Sequence, residues 1–381
     1  MKITIIADVL GKENNGTTIT ITRLIDNLRA RGHEVRVVAP EGSGHGVEYP
    51  LPKINFHIFN KYIAKNGVEL AHSDLKILTK AIYGADVVHI VMPFSVGIKS
   101  AEIAEYGGIP ITTAFHCQPE NITSHIKMKN FMPANNLVYK IFYEFLYKKS
   151  NHVHCPSQFI ANELKKHHYN MKLHVISNGV DPVFKKTEVE KPNEFKDKYC
   201  IMFSGRLSHE KRHDLLINAV KQSKYCDRIQ LIFTGCGPLE HEIIKQGENL
   251  KNPPIIKFCS KEKLVEIINY CDLYCHPSDI EIEAISCLEA ITCGLVPIIS
   301  DSKRSATNDF ALSDKCLFKH GNPRDLAKKI DYMIEHPEEV QKLSEEYVKY
   351  SEQFQIDNCI TKMEEMFQEA IEENKAKKVE E

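Results

Sequence analysis

The feature that most limits what this chain can fold into is a strand, loop, helix and strand completed within its first 40 residues. KITIIAD (2–8) is a β-branched run, and a polar, glycine-bearing loop follows it. TTITITRLIDNLRARG then sets Ile19, Ile21, Leu24, Ile25 and Leu28 on one side of a helix that Gly32 ends. HEVRVVAP (33–40) is a second strand. A βαβ unit of this kind implies a parallel sheet. Strand-like runs continue at DVVHIVM (86–92), IPITTAFH (109–116), NHVHCPS (151–157) and HVISNGV (174–180). Residues 1–181 therefore read as a doubly wound α/β domain.

The rhythm then stops and restarts. Residues 182–198, PVFKKTEVEKPNEFKDK, are charged and proline-bearing, the composition of a linker. YCIMFSG (199–205), IQLIFTG (229–235), PIIKFCS (254–260), LYCHPS (273–278) and LVPIIS (295–300) are again strands. Residues 199–354 read as a second Rossmann-like domain, and 355–381 as a C-terminal helix with a frayed tail, EENKAKKVEE. A chain of 381 residues is too long for one ordinary core, so two domains agree with its length. Ligands bind at the carboxyl ends of parallel strands, which makes the polar residues just after each strand the candidates.

Three such strand ends stand out. In FSGRLSHEKRHDLLINAV (203–220), Gly205 permits a tight turn, Arg206 follows it, and Lys211 sits at the mouth of a helix starting near His213. Two cations and a helix N-terminus converging on one point suit a diphosphate. A solvated basic turn has the same composition. FTGCGPLE (233–240) brings Gly235 and Gly237, where backbone can approach a ligand closely, although many βα turns carry such a pair. In SDIEIEAISCLEAITCG (278–294), Gly294 is a C-cap for a helix from about Ala284 to Cys293. Glu289 then lies mid-helix among apolar residues, and Glu281 lies in the loop before it. A carboxylate so placed can accept from the vicinal diol of a ribose, while the amides of Ala284 and Ile285 can bind phosphate. A structural carboxylate capping nearby backbone is the alternative for Glu289, and Glu283 reads as a solvated loop residue.

Charge and cysteine use bound the function classes. Net charge is −2, but up to Asp181 there are 20 Lys and Arg against 15 Asp and Glu, and beyond it 29 against 36. The basic first half, with 12 of the 18 histidines, suits an anionic substrate or membrane surface and is far too weakly basic for nucleic acid. The 12 cysteines are scattered singly without a CxxC pair, as buried thiols of a reducing compartment are; Cys155, Cys236, Cys287 and Cys293 sit in apolar runs. No apolar run is long enough to span a bilayer, and the N-terminus lacks the pattern of a signal peptide. A cytoplasmic protein is expected.

The order Arg206…Lys211, then Gly235-Cys-Gly-Pro238, then two glutamates with seven residues between them, followed by CG and VPII, resembles the retaining family-4 glycosyltransferases of the GT-B fold. Asn15-Gly16-Thr17, RGHEV and NGVD (178–181) match further segments, so the resemblance spans most of the chain. It implies two Rossmann-like parallel-sheet domains facing across a cleft, with the C-terminal helix crossing back to the first. It assigns Arg206 and Lys211 to the donor diphosphate and Glu289 to the ribose hydroxyls. Glu281, with amides near Ala284 and Ile285, would contact the donor sugar, and Gly16 would lie in the donor-side first loop. His116, after ITTAF, would touch that sugar near the reacting carbon; a satisfied strand-end histidine is the other reading. The family often has Pro-Phe-Gly after the first glutamate, whereas this chain has Ile282-Glu283-Ala284, which leaves less room near the hexose. No DxD motif or cluster of hard oxygen ligands appears, so neither an essential metal nor any cofactor beyond the nucleotide-sugar donor, UDP-glucose or similar, is expected.

The acceptor belongs to the first domain. HCQPENITSHI (116–126) is similar to the same segment in bacterial diacylglycerol glucosyltransferases, which implies acceptor roles for Gln118, Glu120, Asn121 and His125. In LVYKIFYEFLYKKS (137–150), Tyr139, Phe142, Tyr143, Leu146 and Tyr147 form a stripe with lysines nearby. That stripe reads either as a basic aromatic face on an anionic bilayer or as core, because Val138, Ile141 and Phe145 make the helix apolar nearly all round. A lipid acceptor and peripheral attachment to the inner face of the cell membrane are expected. A polysaccharide or soluble acceptor, a UDP-sugar 2-epimerase of the same fold, and a non-catalytic nucleotide-sugar binder are the alternatives.

Overall fold

The structure is a computed structural model describing residues 1–8, 10, 16–44, 46–54, 70–124 and 131–380. It divides into two compact units, Met1–Asn178 with Asp357–Glu381, and Gly179–Ile356.

The first unit holds a seven-stranded sheet in the order β3-β2-β1-β4-β5-β6-β7. Its strands are β1 (Lys2–Ile6), β2 (Glu34–Pro40), β3 (Tyr49–Leu51), β4 (Val87–Ile90), β5 (Ile111–Ala114), β6 (His152–Cys155) and β7 (Lys172–Val175). Every pairing is parallel. Helix Gly16–Ala30 buries Ile21, Ile25 and Leu28, the stripe expected from their spacing. The strands β1, β4 and β5 are buried nearly throughout, as strands covered on both faces must be.

Helix Ile356–Glu380 packs on this unit by burying Met363, Met366, Phe367 and Ala370, one face at i, i+3, i+4 and i+7. Arg31 donates to Glu364 at 2.7 Å, His33 Nε2 lies 2.7 Å from the other oxygen of that carboxylate, and Asn374 donates to the Gly108 carbonyl. The helix continues to Glu380, so the segment expected to fray is helical; Lys377 and Lys378 in its last turn suit the negative end of the helix dipole.

The second unit holds a six-stranded sheet in the order β10-β9-β8-β11-β12-β13. Its strands are β8 (Tyr199–Ser204), β9 (Ile229–Thr234), β10 (Ile255–Lys257), β11 (Leu273–His276), β12 (Pro297–Ser300) and β13 (Leu317–Phe318), again all parallel. Residues 182–198, expected as a linker, belong to this unit. Phe184 and Phe195 are both buried in its core, and Lys191 pairs with Asp272 at 2.6 Å. Two aromatic anchors in an otherwise charged segment are enough to hold it down, whatever its average composition suggests.

All 12 cysteines are free thiols, and Cys155, Cys287 and Cys293 are buried. Cys236 is exposed, contrary to expectation, because the turn between two glycines carries it out of the sheet. Among the described residues no helix is long and apolar enough to cross a membrane.

Candidate functional site

In the second sheet the strand order reverses between β8 and β11, so the crevice outside the carboxyl ends of these two strands is the place for a ligand. β8 delivers Gly205 and Arg206 there, and β11 delivers His276 and the loop to Glu281. Gly205 N donates to the Thr234 carbonyl and Leu207 N to the Cys236 carbonyl, which locks the 205–207 turn to the end of β9. Gly235 and Gly237 are glycines because of this packing. A Cβ on Gly235 would lie 2.0 Å from the Gly205 carbonyl oxygen, and one on Gly237 would lie 2.5 Å from that of Leu207. Their close approach is therefore to the chain's own backbone, where approach to a ligand was expected. Gly205 itself has ordinary room, its Cβ position being 3.5 Å from Phe203.

After the turn, a short 3-10 segment, His209–Lys211, leads through Arg212 into helix His213–Val220. Lys211 Nζ forms an ion pair with Glu281 Oε1, and His276 Nε2 lies 3.0 Å from the same oxygen. Tyr274 Oη continues the chain, 3.3 Å from His276 Nδ1 and 3.1 Å from Ser286 Oγ. Because a carboxylate only accepts, His276 carries its proton on Nε2, which leaves Nδ1 as an acceptor facing the tyrosine hydroxyl. Burial pushes the His276 pKa down, more than Glu281 pulls it up, so the ring is neutral. Burial alone would raise the Glu281 carboxyl; Lys211 and His276 outweigh it and hold it at about 2. The site is thus a fixed array of lysine cation, carboxylate and neutral histidine.

A second ion pair braces it. Arg212 holds Asp214 through two contacts of 3.0 Å and reaches Asp279 at 3.3 Å, while Asp279 N donates to the Glu210 carbonyl at 2.7 Å. The loop before Glu281 is thereby tied to the turn that carries Lys211.

Helix Ile285–Thr292 starts at Ala284 and ends in a Schellman motif: Gly294 N donates to Ile291 and Leu295 N to Ala290. Glu289 lies on this helix, buried despite its charge, and Glu283 is buried too, not the solvated residue its loop position suggested. Ala284 has φ +57°, in the left-handed region that glycine favours. The bend is made here with a methyl group at a place where glycine would be unstrained.

Of the residues expected at a site, the second unit places Lys211 and Glu281 in contact, with Gly205, Arg206, Gly235 and Gly237 on the locked turns and Ala284, Ile285 and Glu289 on one helix. His276, Arg212 and Asp279 were missed. The signal for His276 was its position at the end of the strand LYCH, five residues before Glu281.

In the first unit His116 follows β5. Burial and the nearby rings of His154 and His89 hold its pKa well below the usual histidine value, and the His154 ring centroid is 5.3 Å away. Gln118 is fully buried, and Glu120 is buried with Tyr139 Oη 3.5 Å from its carboxylate. Asn121 lies on helix Pro119–Ser124, Gly16 opens the first helix with open space about its Cα, and His125 lies outside the described residues. On helix Met132–Phe145 the aromatic stripe proves to be core: Tyr139, Phe142, Leu146 and Tyr147 are buried and Tyr143 is half-buried. Tyr139 and Tyr147 pack on Phe115. The exposed apolar residues are instead Leu137, Ile141 and Phe145, spaced i, i+4, i+8, with Phe131 and Met132 before them.

Two family models match. One, "Glycosyltransferase Family 4", covers residues 14–184, and the other, "Glycosyl transferases group 1", covers residues 184–353. A GDP-mannose-dependent alpha-mannosyltransferase of Corynebacterium glutamicum is 25% identical over 319 residues, 78% of this chain and 72% of the relative. An alpha-monoglucosyldiacylglycerol synthase of Acholeplasma laidlawii is 24% identical over 328 residues, 78% of this chain and 80% of the relative. Anabaena HepE, solved in complex with UDP, shares the fold with a TM-score of 0.73 at 16% identity, covering 97% of this chain and all of that one. Matched by both models from residue 14 to residue 353, and built on the two parallel sheets of the GT-B fold, the chain belongs to the group 1, family 4-like glycosyltransferases.

Proposed function

We propose that the chain transfers a hexose from a nucleotide-diphosphate sugar to the hydroxyl of a membrane lipid, with retention at the anomeric carbon and without an essential metal. The observation that carries this reading is the cationic turn at the strand-order reversal, where Lys211 is held by Glu281 beside Arg206. An ammonium has three donors, so Lys211 can keep Glu281 and still meet a diphosphate. As the bond from anomeric carbon to phosphate oxygen breaks, the electron pair leaves with the phosphate. Arg206 and Lys211 stabilise the charge that develops there, from positions fixed before the reaction. The acceptor oxygen attacks the same face of the sugar, and its proton passes to the departing phosphate oxygen, so no protein nucleophile enters the sequence. Glu289 binds the ribose hydroxyls, and Glu281 orients the sugar.

The lipid acceptor is supported by the likeness to a diacylglycerol-type synthase and by the exposed stripe of Leu137, Ile141 and Phe145, flanked by the exposed Lys140 and Lys148. Apolar side chains with lysines alongside suit the headgroup boundary of an anionic bilayer. The likeness to GDP-mannose-dependent enzymes keeps GDP-mannose beside UDP-hexoses as a donor. Incubating the chain with a panel of UDP- and GDP-sugars and membrane lipid extract, followed by mass spectrometry, tests the proposal. A lipid-linked hexose supports it. A water-soluble glycan product sinks the lipid acceptor alone, epimerised donor without transfer would make the chain an isomerase, and binding without any product would make it a sensor.

A further inference from the structure

A cluster of side chains in the first unit, outside the donor site and unused by the chemistry above, joins strands β6 and β7 to the C-terminal helix. His152 opens β6 and His174 lies on the adjacent, parallel β7. His152 Nδ1 is 2.9 Å from His174 Nε2. Glu369 Oε2 is 3.9 Å from the first of these nitrogens and 3.8 Å from the second. Glu373, one turn further along helix Ile356–Glu380, places Oε2 3.0 Å from His152 Nε2. Lys172 occupies the other oxygen of Glu369 and lies 3.9 Å from Glu373.

Three donor atoms from three separate elements therefore point at one spot. Nitrogen and oxygen ligands about 2.0–2.1 Å from a tetrahedral metal lie roughly 3.4 Å from one another, so these separations are each within about 0.5 Å of what a metal requires. We propose that this cluster is a binding site for a divalent transition metal of the zinc class, with His152 Nδ1, His174 Nε2 and Glu369 Oε2 as ligands and water completing the tetrahedron. Two imidazoles and one carboxylate suit such an ion, whereas magnesium and calcium call for oxygen throughout.

The surroundings fit. Glu373 keeps the His152 proton on Nε2, which leaves Nδ1 bare for a metal; a carboxylate behind a ligating histidine is the usual supporting partner. In the metal-free chain the close contact between the two rings needs one proton, and with Nδ1 of His152 bare that proton is on His174 Nε2. Metal entry moves it to His174 Nδ1, so both rings remain neutral and the tautomer of one changes. Lys172 keeps its contact with Oε1 of Glu369 and competes with the ion for the same carboxylate. The metal would fasten the C-terminal helix to the β6–β7 edge. Its role is stability of the first unit, and it does not depend on the donor or acceptor proposed above.

The full-length chain, stripped with a chelator, is titrated with Co2+ as a spectroscopic probe and then with Zn2+, and its thermal unfolding is followed. The site should give the visible d–d bands of four-coordinate cobalt, without the near-ultraviolet thiolate charge-transfer that the exposed Cys236 would add. One equivalent of Zn2+ should displace the bands and raise Tm. His152 is buried, so substitution is made at its neighbours: His174→Ala should abolish stoichiometric binding, and Glu373→Gln should weaken it about 10- to 100-fold. Absence of the bands with no Zn2+ effect on Tm, or binding that survives His174→Ala undiminished, overturns the site.

Discussion

Replacing Lys211 by methionine removes the main counter-charge of Glu281 and keeps the bulk of the side chain. In the folded chain this carboxyl is held at about 2, against 4.5 for an ordinary glutamate. At 1.36 kcal/mol per pH unit the pairing contributes about 3 kcal/mol of stability at neutral pH. That agrees with the roughly 3–5 kcal/mol lost when one partner of a buried ion pair is deleted. A depressed carboxyl stabilises the fold above its unfolded value, about 4.5, and that stabilisation is lost as pH falls towards 2. Urea unfolding of wild type and Lys211→Met should therefore differ by about 3 kcal/mol at neutral pH, and the gap should narrow steadily below about pH 4.5. Adding Glu281→Gln to Lys211→Met should recover most of the loss, because a neutral amide costs far less to bury than an unpaired carboxylate. A gap under about 1 kcal/mol at neutral pH, or a double variant no more stable than the single, would refute the coupling.

Further outcomes follow from other residues. Gly235→Ala drives a methyl into the Gly205 carbonyl and should cost about 1–3 kcal/mol together with nucleotide affinity, while Gly205→Ala, with ordinary room, should be milder; Tm and UDP titration compare them. Ala284→Gly relieves a left-handed backbone and should raise stability by about 1 kcal/mol and widen the range of donor sugars used, measured by unfolding and by the donor panel. Arg206→Ala should lower kcat about 100- to 1,000-fold with Tm near wild type, as loss of a transition-state anion contact does. Ile141→Glu with Phe145→Glu should reduce sedimentation with anionic vesicles and leave nucleotide binding intact.

Much of the fold was legible because a doubly wound sheet writes itself into sequence as buried β-branched runs at helix-length spacing. Although the run read at 174–180 meets β7 only at His174 and Val175, on a partly exposed edge, six strands of the first sheet and five of the second stood out. Tyr49–Leu51 and Leu317–Phe318 did not, since three and two residues are too short to show a period. The 182–198 segment was misjudged because average composition hides two aromatic anchors. On helix Met132–Phe145 both faces are apolar, so the sequence could not say which one meets the core; Phe115 and Tyr169, distant in sequence, decide it. The turn residues at 205–211 and Glu281 drew notice from their places after strands, and Glu289 as a carboxylate inside an apolar helix. That Lys211, Glu281 and His276 form one array was not, because the ion pair spans 70 residues. The His152, His174 and Glu369 cluster was hidden for the same reason, its members lying on three elements.

In the proposed donor site the crevice outside β8 and β11 holds a nucleotide diphosphate, with Glu289 on the ribose. Calorimetric titration of the full chain with UDP and GDP, and with the 2′-deoxy form of whichever binds, puts this to the test. Wild type should prefer the ribonucleotide at least about tenfold, the free energy of one hydrogen bond to a charged group. Glu289→Ala should erase that preference, and Arg206→Ala should weaken both forms alike. Equal affinity of wild type for the ribo and deoxy forms, or a preference that survives Glu289→Ala, would contradict it.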